Sequence, residues 1–419
     1  MRCFGATSRS RIACIMNLSG FTLPEWLPWR AILPCVAIGY LALVRMLRFQ
    51  ALRKMEHKYA AYLSDPYRLD YKQARDVMQL SLLYDTPFLF AFGTQWALIK
   101  SYGIATGTPL LVKTRQLCDP QKIGKRAEDT AVFLMEFLVG DMDSERGRLA
   151  MAKLNWLHRQ YAADIVRTDY VHTLALFVLE PQLWIGRYEW RALTELEKVA
   201  YLIYWREIAH RMGFGDMVPE TLEELEKWKA EYERTHLYFI PENRIVTDAS
   251  VELFLRGTPK FLHGFMRKLF VSFIDEKDVR LALGYPDPPA WATLLTTAFF
   301  RVRGFVIRHL FLPRLDKLEP LGKPGGNGRI CRSSLNIAFE PWYVADSWYN
   351  RLVLWVKTGG KMGPSADRFK SDGYLPEELG PVGFEKIGKE SVREEAQSLE
   401  EYVRRGGSAG VGCPFAFQT

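Results

Sequence analysis

The sequence predicts an all-α protein, one large helical bundle preceded by a membrane-anchor helix. Apolar residues recur at three-to-four spacing in eleven stretches: 71–81, 84–102, 122–139, 144–163, 168–179, 192–212, 219–235, 247–256, 258–274, 289–312 and 384–404. Strand-like alternation is scarce, and no Asn-Gly pair is flanked by two β runs. Near the N-terminus lies an uncharged run bounded by arginines. The 419 residues are 48% hydrophobic and 13% aromatic, which fits a packed globular chain and excludes disorder.

The first element is "WRAILPCVAIGYLALVRML", with fourteen uncharged residues from Ala31 to Val44 between Arg30 and Arg45. A spanning helix needs about 20 residues. Leu27, Trp29, Met46, Leu47 and Phe49 extend the apolar length, and the flanking arginines can snorkel to the interface. Trp26 and Trp29 stand where an interfacial aromatic belt would place them. The basic helical continuation "VRMLRFQALRKMEHK" offers no small-residue cleavage site, so an uncleaved anchor over 31–49 is expected rather than a signal peptide. Arg45, Arg48, Arg53, Lys54 and Lys58 follow it, and Arg2, Arg9, Arg11 and Arg30 precede it. The balance leans toward a cytosolic catalytic domain. Met16 is an alternative start to Met1. The resulting division is a lead over 1–30, an anchor over 31–49, a helical catalytic domain over 55–315, and a C-terminal extension of loops and helices over 316–419.

A net charge of +8 suits a membrane surface. No zinc finger, RNP-like motif or long basic run accompanies it, so nucleic acid is not an expected partner. Six scattered cysteines (Cys3, Cys14, Cys35, Cys118, Cys331 and Cys413) form no C-x-x-C and predict neither a disulfide scaffold nor a structural zinc site. "PDPP" at 286–289, 313–329 and 357–369 are loops by Pro and Gly content.

In "TDYVHTLALFVLEP" (168–181), Thr168 or Asp169 reads as an N-cap and Pro181 as the point by which the helix has ended. The segment is apolar nearly all round and should be buried, with His172 inside it as a core histidine or a metal ligand. His158 in "LNWLHRQY" shares that apolar, aromatic company. Fourteen helical residues would separate the two by about 21 Å. They could meet at one ion only if the chain bends, and "AADIVRTD" is a plausible bend.

Walker A, G-x-G-x-x-G after a strand, H-E-x-x-H and G-x-S-x-G motifs are absent from the sequence. Glu207-x-x-His210 and Glu233-x-x-His236 each match half of a di-iron motif. Too few residues separate them for an intervening helix, and the second sits on a helix that reads as solvated, with His236 exposed. Thr194 and Glu197 have capping-box spacing, and with Arg191 they read as a helix-start device.

Along most of its length the chain resembles the family that joins fungal ER-bound oxygenases of the mpaB type with bacterial latex-clearing rubber oxygenases. The resemblance is carried by "LIKSYGIATGTPLLVKT" (98–114), "KRAEDTAVFLMEF" (125–137), "NWLHRQY" (155–161), the run 169–214, "LFLPR" (310–314), "YLPEELGPVGFEKIGKE" (374–390) and "GCPFAF" (412–417). It implies a helical, rubber-oxygenase-like haem b protein in which a neutral His ligates iron and O2 attacks an isoprenoid double bond. A lipophilic substrate and an N-terminal anchor in the endoplasmic reticulum membrane are implied with it.

"Y-V-H-T" at Tyr170–Thr173 matches the rubber oxygenases' axial-His stretch, which points to His172 as the proximal ligand. Fungal members often carry Tyr at that position while keeping the His158 column, so His158 is the alternative ligand or a distal group. Lys153, with Arg148 as a weaker counterpart, would be the distal cation. Arg126 and Asp129 would be a haem-propionate contact and its orienter, or an inter-helix ion pair. A non-haem di-iron oxidase and a non-enzymatic membrane-tethered scaffold are the competing readings.

Overall fold

The computed structural model describes residues 29–408, with side chains from Ile32 onward; the lead with Met16, Cys3 and Cys14, and the tail with Cys413, lie outside the described residues. The anchor region forms α1 (Trp29–Arg48), continued by α2 (Gln50–Lys58). The first part of the bundle is α3 (Tyr71–Gln79), α4 (Pro87–Ser101), α5 (Thr108–Thr114), α6 (Ile123–Leu138) and α7 (Glu145–Arg159). The chain continues through α8 (Arg167–Tyr188), α9 (Glu195–Arg211), α10 (Leu222–His236), α11 (Pro241–Leu255) and α12 (His263–Ser272). Then come α13 (Lys277–Ala282), α14 (Ala290–Leu310), α15 (Trp348–Thr358), α16 (Ala366–Phe369) and α17 (Lys389–Arg404). The all-α expectation holds.

Local chemistry sets the helix starts. Asp70 with Gln73, Thr194 with Glu197, and Thr221 with Glu224 form reciprocal capping boxes that satisfy the first free N–H groups of α3, α9 and α10. The expected device at α9 is more extensive than its spacing suggested. Arg191 makes paired bonds of 2.7 Å to both oxygens of buried Glu197 and reaches Asp85 at 2.7 Å.

Helix α8 is the central element. Val171, Ala175, Leu176 and Val178 are fully buried in it, as the all-round apolar pattern required. Two details differ from expectation. The N-cap is Val166 rather than Thr168 or Asp169, because both of the latter side chains are drawn to Tyr232 on α10. The helix also runs through Pro181 to Tyr188. Proline removes one backbone donor, but here it packs directly on α4, where a Cβ on Gly93 would lie 2.6 Å from the Pro181 Cα. Buried Lys100 of α4 donates to Glu180 of α8 at 2.7 Å and closes the same contact.

The C-terminal region covers α6 and α7. Three buried carboxylates of α6 are satisfied from it: Glu128 by Arg332, Asp129 by Tyr343 and Glu136 by Tyr374. Asn155 of α7 donates to Glu395 of α17 at 2.7 Å. The segment expected as loop over 313–329 carries part of a small antiparallel hairpin, β1 (Leu321–Pro324) with β2 (Ile330–Arg332). Its turn contains Asn327 and Gly328, the latter at φ +72°, so the Asn-Gly signal was present between strands too short to register as runs. Cys35, Cys118 and Cys331 are all free thiols.

Candidate functional site

The two histidines singled out by sequence lie on opposite sides of α8. Positions two apart on a helix point about 200° apart. Tyr170 turns toward α7, its ring 5.2 Å from that of His158, while His172 turns toward α10, its ring 5.6 Å from that of Tyr232. The chain does bend between α7 and α8, over 160–166. The bend sets the two rings on separate faces, so they cannot share one ion.

His172 is committed to the protein. It is 1% exposed, and its Nε2–H donates to Glu233 Oε1 at 2.9 Å, while the other Glu233 oxygen takes Lys229 Nζ at 2.9 Å. Burial pushes the Glu233 carboxyl up, but the His172 hydrogen bond and the Lys229 charge outweigh it and hold the group below the usual range. A few ångströms away Asp169 accepts from Thr106 at 2.8 Å and Tyr232 at 2.5 Å, tying the 103–109 turn and α10 to the start of α8.

His158 is in the opposite condition. Its Nδ1 is buried and, among the described residues, has no hydrogen-bond partner. Burial, with Arg126 next, lowers its pKa to about 4, so the ring is neutral at physiological pH, as a metal-ligating imidazole must be. Buried polar atoms are mostly satisfied, so this imidazole nitrogen is open to a partner from outside the chain, a water or a ligand. Beside it stand Arg126 of α6, close enough to act on it electrostatically and hydrogen-bonded to Thr130, and Tyr170, whose ring also stacks on Phe214. The residues present therefore fit a ligand to iron at His158.

The other predicted site residues are placed as follows. Asp129 does not pair with Arg126; it faces the C-terminal region, accepting from Lys125 at 2.7 Å and Tyr343 at 2.6 Å. Lys153 is fully buried, donates to the Phe384 carbonyl at 2.7 Å, and stands 4.6 Å from the Trp156 ring. Burial, then neighbouring Lys389, lowers its pKa to about 8. Arg148 pairs with Glu400 at 2.9 Å. Lys153 and Arg148 thus serve the junction of α7 with the C-terminal segments.

The two Glu-x-x-His motifs do not converge. Glu207 accepts from Arg211 at 2.9 Å within a buried cluster that includes Asp143, while Glu233 belongs to His172. His236 is half-buried rather than exposed, its ring stacked 4.0 Å from Tyr232. Among the described residues no group of three or more His, Cys, Asp or Glu side chains is arranged to hold a metal ion. Sequence reasoning missed Tyr170 as the neighbour of His158, and with it the supporting contacts of Thr130 to Arg126 and of Phe214 to Tyr170. It had noted Glu233, but for the wrong role.

A family model described as "ER-bound oxygenase mpaB/B'/Rubber oxygenase, catalytic domain" matches residues 82–308. The chain is 29% identical to "ER-bound oxygenase mpaB'" of Penicillium brevicompactum, over 94% of this chain and 96% of the relative. It is 30% identical to "ER-bound oxygenase mpaB" of Penicillium roqueforti, over 68% of this chain and 96% of that relative. "ER-bound oxygenase mpaB" of Penicillium brevicompactum is 26% identical, over 84% and 90% of the two chains.

Proposed function

The chain belongs to the ER-bound oxygenase mpaB/B'–rubber oxygenase catalytic-domain family and is an oxygenase, and from that premise we propose that it is a haem b enzyme whose iron is ligated by His158. Its reaction, on this reading, oxygenates or oxidatively cleaves a lipophilic isoprenoid, meroterpenoid or polyketide-derived intermediate of fungal secondary metabolism. The observation that carries the ligand assignment is the buried Nδ1 of His158 without a hydrogen-bond partner, against a His172 already held by Glu233.

Bound haem would supply the site at which O2 is activated. The protein's own residues do the rest. His158 stays neutral because it is buried, and so offers a lone pair rather than a proton. Arg126, close enough to bias His158 electrostatically, brings a fixed positive charge that favours an anionic group beside it, either a carboxylate or developing oxygen charge. The Thr130 hydroxyl steadies that guanidinium. Tyr170 and Phe214 wall the site with aromatic surface suited to a prenyl chain. Lys153 and Arg148 have no part in this reading, because their head groups are used elsewhere.

The enzyme would be held in the endoplasmic reticulum membrane by α1, crossing once, with the catalytic domain on the cytosolic side that the basic C-terminal flank favours.

The test is the absorption spectrum and pyridine haemochromogen assay of the full chain in detergent, comparing wild type with His158→Ala and His172→Ala. A Soret band lost in His158→Ala and kept in His172→Ala is expected. The reverse pattern would move the ligand to α8. Folded protein that takes up no haem would end the proposal, and stoichiometric iron without porphyrin would select a di-iron reading.

A further inference from the structure

Helix α14 inverts the usual pattern of a surface helix. Its inner stripe, Ala292, Thr296, Phe300 and Gly304 at i, i+4 spacing, is buried. Gly304 is pressed so close that a Cβ there would lie 2.7 Å from the Tyr188 carbonyl, and the Phe300 ring packs on Trp184 and Phe273. The opposite, outward face should be polar. It carries Trp291, Leu294, Leu295, Val302 and Phe305 instead, with Leu294 71% and Phe305 62% exposed. These residues share one arc at 100° per residue, along a helix about 30 Å long. Contiguous exposed apolar surface of this extent marks an interaction site.

Charge selects the partner. The 21 residues of α14 include no acidic side chain, and Arg301 and Arg308 lie exposed on one shoulder of the apolar arc. Among the described residues neither makes an ion pair, whereas inward-turned Arg303 is paired with Glu189 at 3.0 Å. An apolar face with cationic edges suits the boundary between acyl chains and anionic headgroups. Phe265 of α12, stacked on Trp291 at 5.4 Å, and Phe261, 83% exposed, extend the aromatic surface at the N-terminal end of the helix.

Continuity with the anchor supplies the third argument. The Tyr40 hydroxyl of α1 donates to the Leu310 carbonyl at 2.8 Å, and Arg48 donates to the Ile307 and Phe311 carbonyls. The C-terminal end of α14 is therefore fastened to the helix that is apolar enough to enter the bilayer. Although α14 is also long and apolar enough to cross a bilayer, its buried stripe cannot leave the bundle without exposing Phe300 and its aromatic neighbours.

We infer that the occupant of this face is the lipid bilayer: α14 lies flat in the membrane interface beside the anchor and seats the catalytic domain on the membrane. A lipophilic substrate could then pass from bilayer to bundle without crossing water. The inference rests on α1 as a membrane anchor and is independent of haem.

The experiment uses the full chain with an environment-sensitive fluorescent amino acid in place of outward-facing Ala298, reconstituted into phosphatidylcholine–phosphatidylinositol vesicles with or without doxyl-labelled phosphatidylcholine. A second version carries the probe at exposed Lys227 on α10. Expected are flotation with the vesicles, blue-shifted emission and doxyl quenching at 298, and water-like, unquenched emission at 227. Adding Leu294→Glu and Phe305→Glu, both exposed positions, should return the 298 probe to water-like emission while flotation persists. Flotation with a water-like 298 probe would overturn the inference and leave the anchor intact. Failure to float would overturn the anchor and this inference together, with the haem spectrum unaffected. Blue-shifted emission without doxyl quenching would assign the face to a second copy of the chain and overturn the lipid assignment.

Discussion

Glu233 of α10 receives the Nε2–H of His172 on one oxygen and the Lys229 ammonium on the other, each at 2.9 Å. The arrangement locks the C-terminal half of α10 against the start of α8 and gives His172 a structural partner. His172→Ala strands a half-buried carboxylate and should cost about 1–3 kcal/mol in urea unfolding. Glu233→Gln, which keeps an acceptor oxygen, should cost less. Neither variant should lose a Soret band that the wild type shows. A stability unchanged in His172→Ala would mean that the contact contributes nothing.

Lys153 supplies a pH dependence whose sign can be worked out. Its folded pKa is lowered to about 8, below its ordinary 10.5. Between those values the unfolded chain binds more protons, so this residue's contribution to stability rises with pH, by up to about 1.4 kcal/mol per unit across the window. Below pH 8 that contribution is absent, and burying the ammonium is a net cost that the Phe384 carbonyl, the Trp156 ring and nearby Glu385, Glu377 and Glu378 relieve only in part. Urea unfolding of wild type and Lys153→Met at pH 7.5, 8.5 and 9.5 isolates the term, because the difference between the two should shift in favour of wild type as pH rises. A constant difference would show that Lys153 keeps its ordinary affinity for protons.

Arg191 is the shared partner of two buried carboxylates, Glu197 and Asp85, with which it makes three bonds of 2.7 Å. Arg191→Met would leave both acids uncompensated, and removing one partner of a buried pair typically costs about 3–5 kcal/mol. Thermal denaturation should show a large loss, and the absorption spectrum of the surviving folded fraction should match that of the wild type.

The crossing of α4 and α8 depends on Gly93. Its hypothetical Cβ would lie 2.6 Å from the Cα and 2.9 Å from the N of Pro181, both backbone atoms that cannot rotate aside. Gly93→Val should destabilise by about 1–3 kcal/mol or more through overpacking. Gly186→Ala serves as the control on the same helix pair's outer surface, where nothing lies within 4 Å. Equal stability for both variants would place the helices further apart than described.

Local sequence was enough to mark the long helices, the apolar N-terminal helix and the kinds of residue at the candidate site. Those features are written in local periodicity: apolar spacing marked α3, α4, α6 to α12, α14 and α17 but not the short α5 and α13, the Thr194–Glu197 pair marked the start of α9, and the all-round apolar run around His172 required burial. The run past Pro181 was not legible, because what sustains it is Gly93 on another helix, 88 positions earlier in the chain. Nor were the roles of the two histidines. Both sit in apolar, aromatic stretches, and only the bend at 160–166 with the approach of α10 gives His172 a carboxylate and leaves His158 without one. The outward turn of α14 was hidden for a related reason. A periodic apolar pattern tells that a helix has faces, but only its packing decides which of them meets the core and which is left for the membrane.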